Sequence, residues 1–194
     1  MATVPLAHSN ILLIRHAEKP DRGPDLSPAG QARARAYVGY FKNYTLVGAN
    51  SGTPIRFTHL IAAADSPESK RPSQTIAPLA SSLGLAVEKK FEDSEYQALA
   101  AHLMDKEKFA NSDILICWHH ERLLPLAGAL GVDAGALPAS SAWPDGWPDD
   151  VFGWLLQVSY DADGGVIAGR TVCINEHLTD DDLRSPPGDS LPLG

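Results

Sequence analysis

The sequence predicts a three-layer α/β/α protein in which helices cover both faces of a mostly parallel central sheet. Short apolar runs alternate with longer helix-like segments between residues 11 and 131, a pattern typical of β-α-β units. Hydrophobic residues make up 44% of the 194 residues, which is enough for the core of one domain. Near the end, two strand-like runs flank a turn, and they predict an antiparallel hairpin.

The predicted strands are apolar runs bounded by polar or turn-forming residues. The first four lie at residues 11–14, 59–63, 85–87 and 113–118. The hairpin strands lie at residues 152–160 and 166–174, on either side of an Asp-Ala-Asp-Gly-Gly turn.

The predicted helices carry start and stop signals. They span residues 29–43, 72–83, 94–110 and 123–130. Ser27 is the expected N-cap of the first helix, with Pro28 at its first position. Ser94 is the expected N-cap of the third, while Gly84 and Gly131 end the second and fourth.

The remaining segments contain no interdomain linker, so we predict a single domain over residues 1–194. Residues 132–150 are rich in Pro, Gly, Ala, Ser and Trp and predict an ordered surface loop or flap. Within it, Trp143 and Trp147 beside prolines either form a lid or pack to hold the loop in place. The tail, about residues 179–194, is expected to be mobile.

Charge and cysteine content exclude several kinds of partner. The net charge of −8 argues against nucleic acid and against an anionic membrane surface. No apolar run approaches the length of about 20 residues that spans a bilayer, and no signal peptide is visible. Cys117 and Cys173 lie in apolar runs and are expected to be buried thiols. These features predict a cytoplasmic protein.

Basic residues follow three of the predicted strands. Arg15 and His16 follow the first, Arg71 starts the helix after the second, and His119 and His120 follow the fourth. Ligands of α/β proteins gather beyond the carboxyl ends of the strands. Arginine grips phosphoryl oxygens with a bidentate fork, and neutral histidine offers a ring nitrogen as nucleophile. The pattern predicts a local positive site for a phosphoryl group.

Four segments together resemble the histidine phosphatase (phosphoglycerate mutase-like) superfamily. Residues 13–18 (Leu-Ile-Arg-His-Ala-Glu) are similar to its Arg-His-Gly/Ala-Glu signature, and residues 26–32 to its Leu-Ser/Thr-Pro-x-Gly helix start. Residues 71–75 (Arg-Pro-Ser-Gln-Thr) resemble its Arg-Ala-x-Gln-Thr segment, and residues 114–119 its strand before the second catalytic histidine. One spacing departs from the family pattern, because Ser66 lies five residues before Arg71 instead of four.

The resemblance implies roles for four residues. His16 would be the nucleophile that forms a transient phosphohistidine. Arg15 and Arg71 would hold the phosphoryl oxygens, and His119 would be the second phosphate-binding histidine. His120 falls where the family often has a small polar residue.

The group that protonates the leaving group stays open at the level of sequence. Glu18 is expected to support the pocket or to orient a basic group. Many family members carry a carboxylate general acid after the third strand, where this chain offers Glu92, Asp93 and Glu95. Others carry it directly after the second histidine, where this chain has Glu121 one position late. These acids could equally serve to start helices, and some family members lack a strong acid.

The resemblance predicts an enzyme that hydrolyses a phosphomonoester of a small metabolite and needs no cofactor. A metal site is not expected, because two nearby arginines would repel a divalent cation and no His-Glu-x-x-His helix exists. One alternative is a phosphoglycerate mutase-type phosphotransferase, disfavoured because residues 88–112 carry four lysines and no arginine. Another is an inactive family member that binds a phosphorylated ligand or a partner. The sequence does not indicate an oligomeric state.

Overall fold

The fold is built on one six-stranded sheet. The computed structural model describes residues 3–49 and 52–187. The strands are β1 (Asn10–Arg15), β2 (His59–Ala62), β3 (Val87–Glu88), β4 (Asp113–Trp118), β5 (Trp154–Ser159) and β6 (Val172–Asn175). Their order is β3-β2-β4-β1-β5-β6. The first four strands are parallel, and β5 runs antiparallel to both β1 and β6. The predicted mostly parallel sheet with its C-terminal hairpin is therefore confirmed.

Helices cover both faces of this sheet, as predicted. They are α1 (Pro28–Asn43), α2 (Arg71–Leu83), α3 (Tyr96–Asp105) and α4 (His120–Ala129). Alternate residues of β1 face opposite layers. Leu12 and Ile14 pack in the cluster that contains the apolar face of α1 and α2. Ile11 and Leu13 pack in the cluster that contains α3 and α4.

The predicted ends of the first two helices are confirmed. The Ser27 hydroxyl accepts a hydrogen bond from the backbone N–H of Gly30 at 3.0 Å, and Pro28 occupies the first helical position. Gly84 ends α2 in the left-handed conformation, with φ of 69°. A side chain at Gly30 would collide with the carbonyl oxygen of Glu18, since a Cβ there would lie 2.3 Å from it. Glycine therefore lets α1 pack directly against the segment that follows β1.

Other predicted boundaries are wrong. The helix predicted over residues 94–110 ends at Asp105, because Lys106 is extended with φ of −108° and ψ of 120°. Ser94 is not its N-cap, since Glu92 and Glu95 form a capping box around the turn Asp93–Glu95. The helix predicted from residue 123 starts at His120.

The strand predicted at residues 85–87 is shifted to Val87–Glu88. In the hairpin, the second predicted run pairs at Val166 only through an isolated bridge to Tyr160. A single turn of 3₁₀-helix, Ala168–Arg170, then interrupts it before β6 starts. Cys117 and Cys173 are both buried, as predicted. None of the helices in the described ranges is long and apolar enough to cross a membrane.

The first residues of the tail are held against the domain. Asp182 is buried and accepts hydrogen bonds from both terminal nitrogens of Arg33, at 3.0 and 2.7 Å. Thr179 accepts a further bond from Arg33 at 3.1 Å. The expected mobility of the tail is therefore wrong for residues 179–182. Residues 188–194 of the predicted tail lie outside the described residues.

Glu176 lies buried beside the same arginine and is expected to weaken the fold at alkaline pH. Its Oε2 accepts a hydrogen bond from the Tyr37 hydroxyl at 2.8 Å, while its Oε1 has no partner within the described chain. Burial raises the pKa of Glu176 to about 8, against a smaller opposing effect of Arg33. The folded protein therefore holds this proton more tightly than the unfolded chain does. Stability is expected to fall as the pH rises from the ordinary glutamate pKa through 8.

Glu176→Gln imitates the protonated side chain and removes this titration. We expect the variant and wild type to melt at similar temperatures at pH 5, where both carry a neutral side chain. At pH 9 we expect the variant to be more stable, by about 2–4 kcal/mol. Thermal unfolding at both pH values measures the difference, with the exposed Glu107→Gln as a control of equal charge change. An unchanged gap between pH 5 and pH 9 would contradict the prediction.

Candidate active site

Parallel pairing of β1 and β4 brings two predicted site residues together. The register places Arg15 opposite Trp118, so the next residues, His16 and His119, leave the sheet side by side. The backbone N–H of His16 donates to the Trp118 carbonyl at 3.0 Å. The two imidazole rings lie 5.1 Å apart between centroids, at an angle of 71°.

The segment after His16 is fixed by side chains at the start of α2. The Ala17 N–H donates to the Thr75 hydroxyl at 2.9 Å, and the Leu26 N–H donates to Gln74 Oε1 at 3.0 Å. Gln74 and Thr75 belong to the segment Arg-Pro-Ser-Gln-Thr. These residues therefore lock the loop that carries His16 to the helix that carries Arg71.

His16 has the geometry of a neutral nucleophile. The residue is 3% exposed, and its Nδ1 donates to its neighbour's carbonyl oxygen, Ala17 O, at 2.7 Å. Nε2 is then the nitrogen that keeps a lone pair. Burial lowers the pKa of His16 to about 3, and the nearby His119, Arg15 and Arg71 act in the same direction. The ring is therefore uncharged at neutral pH and free to attack an electrophile through Nε2.

Arg15 joins the site to the loop before β5. Its Nη1 donates to the carbonyl oxygens of Pro148, Asp149 and Val151 at 3.3, 2.7 and 2.9 Å. The guanidinium carbon lies 3.9 Å from the centroid of the Phe152 ring. Burial lowers the pKa of Arg15 to about 10, so it remains a cation at neutral pH. Its buried Nε has no partner in the described structure and is available to an anion.

Arg71 presents a second cation from the first residue of α2. Its Nη1 donates to the carbonyl oxygens of Gly23 and Glu68 at 3.2 and 3.3 Å. Its Nε is buried without a partner among the described residues, and burial lowers its pKa. Two arginines thus each keep a buried N–H unused near a neutral histidine. A phosphoryl group, with several acceptor oxygens, matches these donors.

His119 is held at both ring nitrogens. Nδ1 donates to Asp93 Oδ1 at 2.9 Å, and Nε2 lies 3.0 Å from the Ser69 hydroxyl. Ser69 was not predicted from the sequence. The atypical five-residue spacing from Ser66 to Arg71 was the one sequence feature that could have indicated Ser69. This segment forms a turn in which Ser66 Oγ accepts a hydrogen bond from the Ser69 N–H at 3.1 Å. That turn presents Ser69 to the histidine.

A cleft of about 490 Å³ opens beside His119. Its charged lining residues are all carboxylates, namely Asp65, Glu68, Glu92 and Asp93. Among the acids named from the sequence, Asp93 is thus the one that both lines the cleft and hydrogen-bonds to a predicted site histidine.

The other predicted residues are engaged elsewhere. Glu18 accepts from Arg33 Nε at 2.8 Å, so it contacts a basic group. Glu95 Oε2 accepts from the Glu92 backbone N–H at 2.8 Å within the capping box, and Glu121 lies in the first turn of α4. His120 Nε2 pairs with Asp149 Oδ1 at 2.8 Å and so ties α4 to the loop that Arg15 also binds.

Trp147 packs in the core and does not form a lid. Its ring is buried in the core, 5.7 Å from that of Trp154, and its indole N–H donates to the Val151 carbonyl at 2.9 Å. That same carbonyl accepts from Arg15. Trp143 is partly buried against the same core. In the described parts of the chain, no group of three or more His, Cys, Asp or Glu side chains is arranged to hold a metal ion.

Comparison with known proteins identifies the fold. No protein-family model matches the sequence, and no curated protein matches it. Among solved structures, the alpha-ribazole phosphatase from Shigella flexneri superposes with a TM-score of 0.55 at 15% identity, covering 88% of this chain and 97% of that one. The phosphoglycerate mutase from Bacillus anthracis gives 0.52 at 12% identity, covering 94% and 99%. A putative alpha-ribazole-5'-P phosphatase from Escherichia coli gives 0.52 at 15% identity, covering 86% and 96%.

The chain therefore has the fold of the histidine phosphatase superfamily, and the resemblance seen in its sequence motifs is confirmed at the level of the fold.

Proposed function

We propose that the protein is a metal-independent phosphatase that hydrolyses a phosphomonoester of a small metabolite through a phosphohistidine on His16. One observation carries this proposal. The buried, neutral ring of His16 lies next to that of His119 with Nδ1 bound to Ala17 O, and Arg15 and Arg71 each keep a buried Nε without a partner in the described structure. The buried cysteines suit a reducing compartment, and we place the protein in the cytoplasm.

The chemistry follows from these positions. His16 Nε2 attacks the phosphorus atom, and the bond between phosphorus and the leaving oxygen breaks as the Nε2–P bond forms. Arg15 and Arg71 neutralise the charge on the non-bridging oxygens, and His119 binds the phosphoryl group beside His16. Removing one such donor typically costs roughly 3 kcal/mol of transition-state stabilisation. Water then attacks the phosphohistidine, releases phosphate and restores the neutral imidazole.

The lining of the cleft favours hydrolysis over a mutase reaction. A phosphoglycerate carries a carboxylate, and Asp65, Glu68, Glu92 and Asp93 would repel it. Lys89 lies near them, but it is paired with Asp65 at 2.6 Å. A phosphomonoester whose leaving group is neutral or cationic suits this surface better.

Hydrolysis of p-nitrophenyl phosphate in the presence of EDTA between pH 5 and 8 tests the proposal. We expect turnover that EDTA does not inhibit. Rapid quenching should also trap a phosphoenzyme that is labile in acid and stable in base, as a phosphoramidate is. Turnover abolished by EDTA would contradict a metal-independent reaction. Phosphate binding without any turnover would instead identify an inactive member that binds a phosphorylated ligand.

A further inference from the structure

Asp93, His119 and Ser69 form a continuous row of hydrogen bonds beside the nucleophile. The two heavy-atom distances are 2.9 Å from Asp93 Oδ1 to His119 Nδ1 and 3.0 Å from His119 Nε2 to Ser69 Oγ. The three residues come from the turn before α3, the end of β4 and the loop before α2. Ser69 is 5% exposed, and the side chains of His119 and Asp93 are 21% and 38% exposed.

Asp93 determines which nitrogen of His119 faces the reaction. An ionised carboxylate can only accept hydrogen bonds, so Nδ1 carries a proton and Nε2 is the nitrogen that gains or loses one. A carboxylate behind an imidazole also stabilises the imidazolium form, as in the triads of serine hydrolases. The row therefore places an imidazole with an exchangeable Nε2 proton next to the phosphoryl position.

The neighbouring acids are poorly placed to supply that proton. The backbone N–H of Glu92 and the carboxylate of Glu95 are bonded to one another in the capping box, which the Glu92 side chain completes. Glu18 is bound to Arg33. Asp93 itself points one oxygen at Nδ1. Of these four carboxylates, Asp93 is the one that contacts a site histidine.

We propose that His119 donates the proton to the leaving group and that Asp93 is the positioning residue that enables it to do so. This inference rests on the proposed phosphatase function. A leaving-group oxygen replaces the Ser69 hydroxyl at Nε2 of the imidazolium. As the Nε2–P bond to His16 forms and the P–O bond breaks, the electron pair of that bond stays on the leaving oxygen, which takes the His119 proton and departs as an alcohol.

The second half-reaction returns the proton. Neutral His119 accepts a proton from the attacking water through Nε2 as the new P–O bond forms and the bond to His16 breaks. The electron pair of the broken bond returns to His16 Nε2. Inorganic phosphate leaves, and His119 is an imidazolium again, so that each turnover consumes one water and no other reactant.

Two substrates that differ in their need for a proton test the inference. p-Nitrophenolate departs without protonation, whereas the alkoxide of glycerol 2-phosphate does not. We expect Asp93→Asn to lower kcat/KM for glycerol 2-phosphate roughly 10- to 100-fold and for p-nitrophenyl phosphate less than about 3-fold. Glu95→Gln is the matched control, because it removes the same charge from the same turn and can keep the capping contact. Glu95→Gln should leave kcat/KM unchanged for both substrates.

A double-mutant cycle separates this role from direct donation by Asp93. If Asp93 acts through His119, Asp93→Asn should have almost no further effect on glycerol 2-phosphate in a His119→Asn background. An equal loss in both backgrounds would assign the proton to Asp93 and overturn the inference. Imidazole ¹⁵N NMR gives a readout that does not need turnover. We expect a protonated, hydrogen-bonded Nδ1 in wild type that is lost in Asp93→Asn, and a protonated Nε2 in the neutral ring would contradict us.

Different results would contradict the proposed function and the inference about Asp93 and His119. If turnover survives in His16→Ala, the proposed function is wrong. The inference is then wrong as well, whatever the effect of Asp93→Asn. Turnover that depends on His16 but falls equally for both substrates in Asp93→Asn overturns the inference alone. Thermal unfolding of each variant shows whether a loss of activity is a loss of fold.

Discussion

His16→Ala is expected to lower kcat/KM for p-nitrophenyl phosphate by roughly 10⁴-fold or more and to abolish the trapped phosphoenzyme. At His16, Nδ1 is committed to Ala17 O and burial keeps Nε2 unprotonated, which is the arrangement a nucleophile needs. The measurement is steady-state kinetics at pH 7 with EDTA. His102→Ala is the matched control, since His102 lies on α3 and contacts Phe91 and Phe109 rather than the site.

The same substitution should change how stability depends on pH. The pKa of His16 is about 3 in the folded protein, below the ordinary value of 6.5. Between these values the unfolded chain binds a proton that the folded protein does not, so wild type loses stability as the pH falls from 6.5 toward 3. His16→Ala lacks this contribution and should show a flatter acid limb in urea unfolding. An equally steep acid limb would show that burial does not depress this pKa.

Local sequence signals were sufficient to predict β1 and β4 and the residues that follow them. Apolar runs identified β1 and β4, and His16 and His119 are the first residues beyond their ends. The order of strands was not available from such signals, although β1 and β4 must be adjacent for the two rings to meet. The family resemblance instead placed both histidines at one phosphoryl group.

Contacts between distant segments account for what the sequence did not predict. Asp93 and Ser69 meet His119 from positions 26 and 50 residues away, and the sequence indicated neither contact: Asp93 was named only as a possible acid, and Ser69 was indicated only by the spacing from Ser66 to Arg71. The three carbonyl oxygens that Arg15 binds belong to the backbone, so the residue types at these positions could not predict the contacts. The tail seemed mobile because its composition is polar, yet Asp182 pairs with an arginine on α1.

That arginine gives the largest expected effect on stability. Arg33 is 1% exposed and lies among three acidic side chains, with contacts of 2.8 Å to Glu18, 2.7 Å to Asp182 and 3.6 Å to Glu176. Removing one partner of a buried ion pair leaves an uncompensated charge in a medium of low dielectric constant. We therefore expect Arg33→Met to lower the free energy of unfolding by about 3–5 kcal/mol at pH 7, measured by urea denaturation. Arg35→Met, two residues along the same helix but exposed, should change it by less than about 0.5 kcal/mol.

A second substitution shows whether unpaired charge or lost packing is responsible. If the cost of Arg33→Met comes from the stranded carboxylates, adding Asp182→Asn should recover part of it, although Asp182→Asn alone destabilises wild type. If lost packing is responsible, the two losses should simply add. The distinction matters for the site, because Arg33 links Glu18, three residues beyond Arg15, to the tail segment that ends the described chain. Recovery by Asp182→Asn would show that charge balance at Arg33 holds the loop after β1 and the tail together.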